Sequence, residues 1–209
     1  MKLSTMVLTS ILALGMNVAQ ATPGIGCGDL HNAFGPFDYR TIPALPKDLV
    51  ERAHFTLQVE TLAAGKSGYL GADIDYTLRA IPNHPRALLS MERLGMRDKT
   101  DFPRGAHYPV PCYFDRAIRF VPDDPMPHLI YAIYLKDHNK RAEAVAQLDT
   151  ATSLKGDGDN ADFAYDAGLL YFDLGEKDKA LKYAHRAYDL GAQLPGLKAK
   201  LQAAGAWRD

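Results

Sequence analysis

Seven histidines, two cysteines and a few close-set carboxylates are the side chains here that could carry chemistry. The histidines (His31, His54, His84, His107, His128, His138 and His185) never pair with each other or with a cysteine at a zinc-holding spacing, so they read as capping, packing or surface residues. Gly156 to Asn160 opens like a calcium loop, but the required glycine and distal glutamate are missing, with Asp162 and Tyr165 nearby instead. Asp159 or Asn160 suits a helix N-cap better. Gly-x-Ser-x-Gly, phosphate-loop, His-Glu-x-x-His and dinucleotide motifs do not occur. Asp73 with Asp75, or Glu60 with Glu92, would do acid–base work only if folding brought them together, and solvated helix-face charges are the plainer reading. The expectation is a protein with no catalytic residues, metal or cofactor.

Cys27 and Cys112 are not arranged for redox work or haem attachment, and their role turns on the compartment. Lys2, the apolar run Met6 to Met16 and the triplet Ala19, Gln20, Ala21 read as a signal peptide over residues 1–21, cleaved before Thr22. Thr9, Ser10 and Gly15 interrupt that run, which falls short of the roughly 20 residues that span a bilayer. Gly26 before Cys27 keeps lipidation as a rival, although Gly24 stands where a lipid-attachment motif carries leucine. In an oxidising compartment the even pair predicts a Cys27–Cys112 disulfide in a periplasmic or secreted protein. The mature chain of 188 residues suffices for one core or one short repeat array. Only Lys2 of the charged residues lies in the leader, so the mature chain carries two more acidic than basic groups. That balance excludes a dedicated nucleic-acid or anionic-membrane surface, and no later segment offers a membrane span.

The elements that must position any site are helical and they recur. Ala164, Ala167, Gly168 and Tyr171, then Ala180, Ala184 and Ala187, stand at helical spacings on two segments separated by Gly175 and Glu176. Ala144, Leu148, Ala151 and Leu154 repeat Ala180, Ala184, Ala187 and Leu190 at a displacement of 36 residues, and Ala132 and Leu135 repeat Gly168 and Tyr171. Tyr113 to Pro125 echoes Tyr76 to Pro85 through a shared Arg-Ala-Ile and a Pro-x-x-Pro ending, with Pro122 displaced from Pro82 by 40. This pattern resembles the tetratricopeptide family, matched at Gly168, Tyr171, Ala180 and Ala187 and, in an earlier copy, at Ala117 and Pro122. The family's tryptophan is Ala164 here, its closing proline is absent after Leu190, and the spacing exceeds the family's usual length.

The resemblance implies an all-α fold, a superhelical stack of about four helix-turn-helix hairpins over residues 47–209. The predicted helices span 47–64, 70–81, 84–95, 112–121, 125–137, 139–154, 160–174 and 176–190, with a capping helix over 194–204. Two stretches stand outside the repeat: the Gly- and Pro-rich segment 22–46 and a loop insertion at 95–111. FGPFDYR, HFTLQVETL and DIDYTLRAIPNHPRALLSM are also similar to a group of secreted bacterial repeat proteins, which makes the N-terminal segment an integral part of the unit.

In the family the first helices of successive hairpins line a concave groove that holds peptides. Tyr165, Leu169 and Phe172 form a stripe about 100° from the Gly168 and Tyr171 face, and Leu129 and Ile133 hold corresponding places one repeat earlier. These residues, with Asp162, Asp173 and Lys136 as a polar rim, are the candidate surface for a protein or peptide partner; ordinary packing between repeats is the competing reading. The alternative is an enzyme or small-ligand site between the N-terminal aromatic segment (Phe37, Tyr39) and the insertion (His107, Tyr108).

Overall fold

A computed structural model describes residues 26–154 and 160–208. The leader with its cleavage site at Thr22, and the calcium-like stretch 156–159, lie outside the described residues. Those described form ten helices and no strand: α1 (Ala44–His54), α2 (Leu57–Glu60), α3 (Leu70–Ala80), α4 (Pro85–Asp98), α5 (Val110–Phe120), α6 (Pro125–Asp137), α7 (Arg141–Ser153), α8 (Ala161–Asp173), α9 (Lys177–Asp189) and α10 (Gly196–Ala203). The all-α expectation holds.

Small residues set the closest helix approaches. Ala144, Leu148 and Ala151 on α7, and Ala180, Ala184 and Ala187 on α9, are all fully buried, as their common register requires. Those faces meet α6 and α8, and α10 closes the end of the stack against α8 and α9. Gly168 is held to hydrogen by its neighbours: a Cβ there would lie 2.6 Å from Leu197 Cδ2 and 3.4 Å from the Ala184 amide nitrogen.

One backbone device recurs at the turn of every hairpin. Leu62, Lys99, Asn139 and Gly175 are left-handed, with φ of 58°, 53°, 60° and 78°. After each, the next amide bonds back five residues: Ala63 to the Gln58 carbonyl, Thr100 to Gly95, Lys140 to Leu135 and Glu176 to Tyr171, at 2.8–3.0 Å. Such a cap satisfies carbonyls that the helix end leaves open and reverses the chain in a few residues.

Three boundaries depart from expectation. The helix predicted over 47–64 is two pieces: Phe55 leaves helical geometry at φ −131°, and buried Phe55 and Val59 enter the core from either side of the break. Helix α1 also begins at Ala44, three residues inside the segment expected to be irregular. The insertion is shorter than 95–111, because α4 continues to Asp98 before its left-handed cap and Pro111 supports an early start of α5 at Val110.

Residues 26–43 are a strap across the first turns. The Cys27–Cys112 disulfide anchors one end. Buried Arg116 donates to the Cys27 and Asp29 carbonyls at 3.0 and 2.5 Å. Further on, Phe37 N–H bonds to the Ala80 carbonyl at 2.9 Å, and a Cβ at Gly35 would collide with that same carbonyl. Asn83 is the clasp: its Oδ1 accepts from Tyr39 N–H, and its amide donates to Asp38 and to Asp124, each at 2.7 Å. Asp124 in turn caps α6 through the Met126 amide. Burial opposes charge on Asp38, but the bonds from Arg40 and Asn83 prevail and hold it below the ordinary carboxylate range.

Candidate functional site

Helices α4, α6 and α8 are the first helices of three successive hairpins, and one face of each lines a shared groove of about 550 Å³. From α4 come Leu89, Glu92, Arg93 and Met96. Helix α6 gives Leu129, Ile133, Lys136 and Asp137, and α8 gives Asp166, Leu169, Leu170 and Asp173. Steps of three and four residues along each helix put these side chains on one face. Leu129 and Leu170 form the floor, being nearly buried, while Leu89, Ile133 and Leu169 are half-buried and Met96 is 40 % exposed. The volume lies within the roughly 300–1,000 Å³ range of ligand sites.

The expected surface is thus divided. Leu129, Ile133, Lys136, Leu169 and Asp173 line the groove; Tyr165, Phe172 and Asp162 do not. Tyr165 is 7 % exposed and its hydroxyl accepts the Leu197 N–H at 3.1 Å, so it receives the N-terminus of α10. Phe172 lies under Lys200, whose ammonium is 5.5 Å from the ring centroid and 2.9 Å from Asp173. Asp162 is exposed in the first turn of α8, where a negative charge suits the helix dipole. In the last hairpin the capping helix covers positions that a stripe drawn on α8 alone leaves open.

The groove carries an acidic field. Lys136 pairs with Asp137 at 2.6 Å and Lys200 with Asp173, and among the described residues Glu92 and Asp166 have no basic partner at ion-pair distance. Glu92 is 3 % exposed; burial, and then the charge of Asp137, push its carboxyl up to about 7 against the weaker pull of Arg93 and His138. Asp166 is exposed on the groove wall, and desolvation followed by the Asp162 charge raises it as well.

Other clusters of polar groups are structural. Asp75 is fully buried and accepts from Tyr113 Oη (2.6 Å), His107 Nδ1 (2.7 Å), Arg79 Nε (2.8 Å) and His107 N–H (3.1 Å). A catalytic relay needs a hydroxyl or thiol bonded to the imidazole, whereas Tyr113 bonds the carboxylate instead. Asp73 likewise collects the Lys66 and Ser67 amides, the Ser67 hydroxyl and His54; burial opposes its charge, but these bonds hold it below the usual range. Asp73 and Asp75 therefore serve separate networks, and the Glu60 carboxylate pairs with Arg86 while Glu92 faces the groove. Of the aromatic segment, Phe37 and Tyr39 pack on Val50, Ala80 and Ile81, whereas His107 and Tyr108 of the insertion lie against Asp75 and Tyr113, with Arg116 over the Tyr108 ring and bonded to the Cys27 carbonyl.

His84, fully buried, caps α4 by accepting the Ala87 N–H at Nδ1, which places its proton on Nε2 facing Glu51. Burial keeps this imidazole below its ordinary pKa despite Glu51. Among the described residues no group of three or more His, Cys, Asp or Glu side chains converges as a metal site, and no helix is long and apolar enough to cross a membrane.

No protein-family model matches the chain, and no curated protein matches it.

Proposed function

We propose that the protein is an exported, tetratricopeptide-like adaptor without enzymatic activity, which holds a segment of another polypeptide in the groove between α4, α6 and α8. The observation that carries this reading is the groove itself: half-buried aliphatic side chains from three consecutive first helices, rimmed by charged groups. An open apolar floor with a polar rim is the usual anatomy of a recognition surface. Export is supported by the disulfide and by the leader-like residues 1–21. The tetratricopeptide-like register is supported by the matching buried faces of α7 and α9.

A photo-reactive residue replacing Ile133 or Leu169 in the exported protein should cross-link to one defined polypeptide, while the same residue at exposed Leu45 or Phe102 should not. Ile133→Asp and Leu169→Asp should abolish that product while the variants stay folded by circular dichroism. Equal cross-linking from groove and control positions would sink the reading. N-terminal sequencing of the mature protein should begin at Thr22, and a lipidated Cys27 would contradict both the cleavage site and the disulfide.

A further inference from the structure

Residues 26–31, the first part of the strap, are fastened to the helices differently from the rest of it. Besides the Cys27–Cys112 disulfide, their hydrogen bonds to the helices come, among the described residues, from two arginines of α5: Arg116 donates to the Cys27 and Asp29 carbonyls, and Arg119 to the Gly28 carbonyl at 3.1 Å. Gly28 lies so close on Tyr108 that a Cβ would come within 2.9 Å of it, and Arg116 stacks on the same tyrosine with its guanidinium carbon 4.5 Å from the ring centroid. Arg116 is 1 % exposed, yet the neighbouring Asp115 is taken by Arg119 at 2.7 Å, and the Arg116 Nε is buried with no hydrogen-bond partner among the described residues. A guanidinium with no counter-charge and an orphaned donor gives up hydration that carbonyls and a ring repay only in part. It stays dry because the disulfide holds those carbonyls over it at high effective concentration. Downstream, Arg79 on Asn32 at 3.0 Å, the Phe37 N–H on Ala80 and the Asn83 clasp hold the strap without either arginine of α5. The bridge can also be reached: Cys112 is buried, but Cys27 is half-buried between exposed Gly26 and Gly28, and a Cβ at Gly26 would meet nothing within 4 Å.

We infer that residues 26–31 are a redox-released latch over Arg116 and Tyr108. A dithiol reductant opens it: one thiolate attacks Cys27 Sγ, the S–S bond breaks, and Cys112 leaves as a thiolate that takes up a proton. The reductant's second thiol then attacks its own sulfur in the mixed disulfide and expels Cys27, so two electrons and two protons pass to the protein and the reductant becomes a disulfide. With the tether cut, water reclaims the Arg116 guanidinium and the segment lifts from α5, while the strap from Asn32 onward stays in place. The latch is independent of what the groove holds, because it sits on α5, which contributes no residue to the groove's lining.

The test compares the oxidised mature chain, the same chain treated with dithiothreitol, and the Cys27→Ser, Cys112→Ser double variant, all held below their melting temperatures. A protease that cuts before aspartate should cleave at Asp29 about ten-fold or more faster in the latter two, while Asp38, held by the clasp, is cut no faster. Phenylglyoxal, which labels accessible arginines, should mark Arg116 in those two samples alone and Arg119 in all three, with the helical circular dichroism unchanged. Reoxidation should restore protection. Protection of Asp29 and Arg116 that survives loss of the bridge overturns the latch. So does loss of the helical signal, or rapid cleavage at Asp38, on reduction, since the bridge would then support the whole fold. A bridge that resists dithiothreitol until urea is added, as counted by thiol alkylation, overturns it as well.

Discussion

Removing the Asp75 carboxylate should unfasten the fold at a single point, because this one group joins α3, α5 and the loop 99–109. Asp75→Ala strands the Tyr113 hydroxyl, on a side chain only 1 % exposed, and an orphaned buried donor costs roughly 1–3 kcal/mol. The bonds from Arg79 and His107 add less than buried ones would, since His107 is 64 % exposed and screened by water. The expected total is about 3–5 kcal/mol, the range for deleting one partner of a buried charged cluster. Tyr113→Phe alone leaves Asp75 with Arg79 and both His107 donors, and should cost about 1 kcal/mol. The double variant should be milder than the sum of the singles by about 1–2 kcal/mol, because the buried Tyr113 hydroxyl is no longer there to be orphaned. Urea denaturation under non-reducing conditions, read at constant m, measures all three, and limited proteolysis of 99–109 should accelerate in Asp75→Ala. Additive effects, or a cost below about 1 kcal/mol for Asp75→Ala, would refute the hub.

Four further outcomes are expected. Reducing Cys27–Cys112, which closes an 85-residue separation, should lower stability by about 4.5 kcal/mol on chain-entropy grounds, seen as an earlier denaturation midpoint with thiol present. Gly168→Leu should cost roughly 1–3 kcal/mol through collision with Leu197, with hydrogen exchange rising first in α10; an unchanged melt would disprove the packing. Lys99→Gly should raise stability by about 0.5–1 kcal/mol, since glycine meets no penalty at a φ of 53°, and a loss in calorimetry would contradict that cap. Glu92 has a folded pKa of about 7 against an ordinary 4.5, so the native state binds the extra proton and its contribution fades as pH rises from about 4.5 through about 7. Glu92→Gln should flatten stability over that window, by on the order of 3 kcal/mol in all, and an unaltered pH profile would rule the carboxyl out as the source.

What could be read in advance follows from which signals are local. Ala144, Ala151, Ala180 and Ala187 announce their register because close helix packing admits only small residues, and Asn160 caps α8 through the Phe163 amide as its type suggests. Gly175 marks its turn for the same kind of reason, whereas Leu62, Lys99 and Asn139 adopt the same left-handed state with no glycine to signal it. The stripe Tyr165, Leu169 and Phe172 was visible as apolar, but only tertiary structure assigns its members: Leu169 turns to α6, and the other two are taken by α10. Glu92 stood out as a carboxylate with the wrong companion, since its neighbour Asp137 lies on another helix and no spacing links them. Asp75 and His107, 32 residues apart, were equally invisible as a pair.

The strap has a consequence for how such a chain can change its length. In an array whose units touch only their neighbours, copies can be gained or lost almost freely, because each contributes its own share of stability. Here the bonds of residues 26–43 run from Cys112 and Arg116 through Ala80 and Asn83 to Asp123, and Asn83 passes on to Asp124, so the opening hairpins are sewn together and duplicating one of them would tear the stitching. Beyond Asp124 those stitches end, and the α6–α7 and α8–α9 units share one register and one turn geometry. Copy number is therefore free to drift at the C-terminal side of the molecule alone, and relatives with one hairpin more or fewer should differ between α6 and α10 while keeping the front of the chain intact.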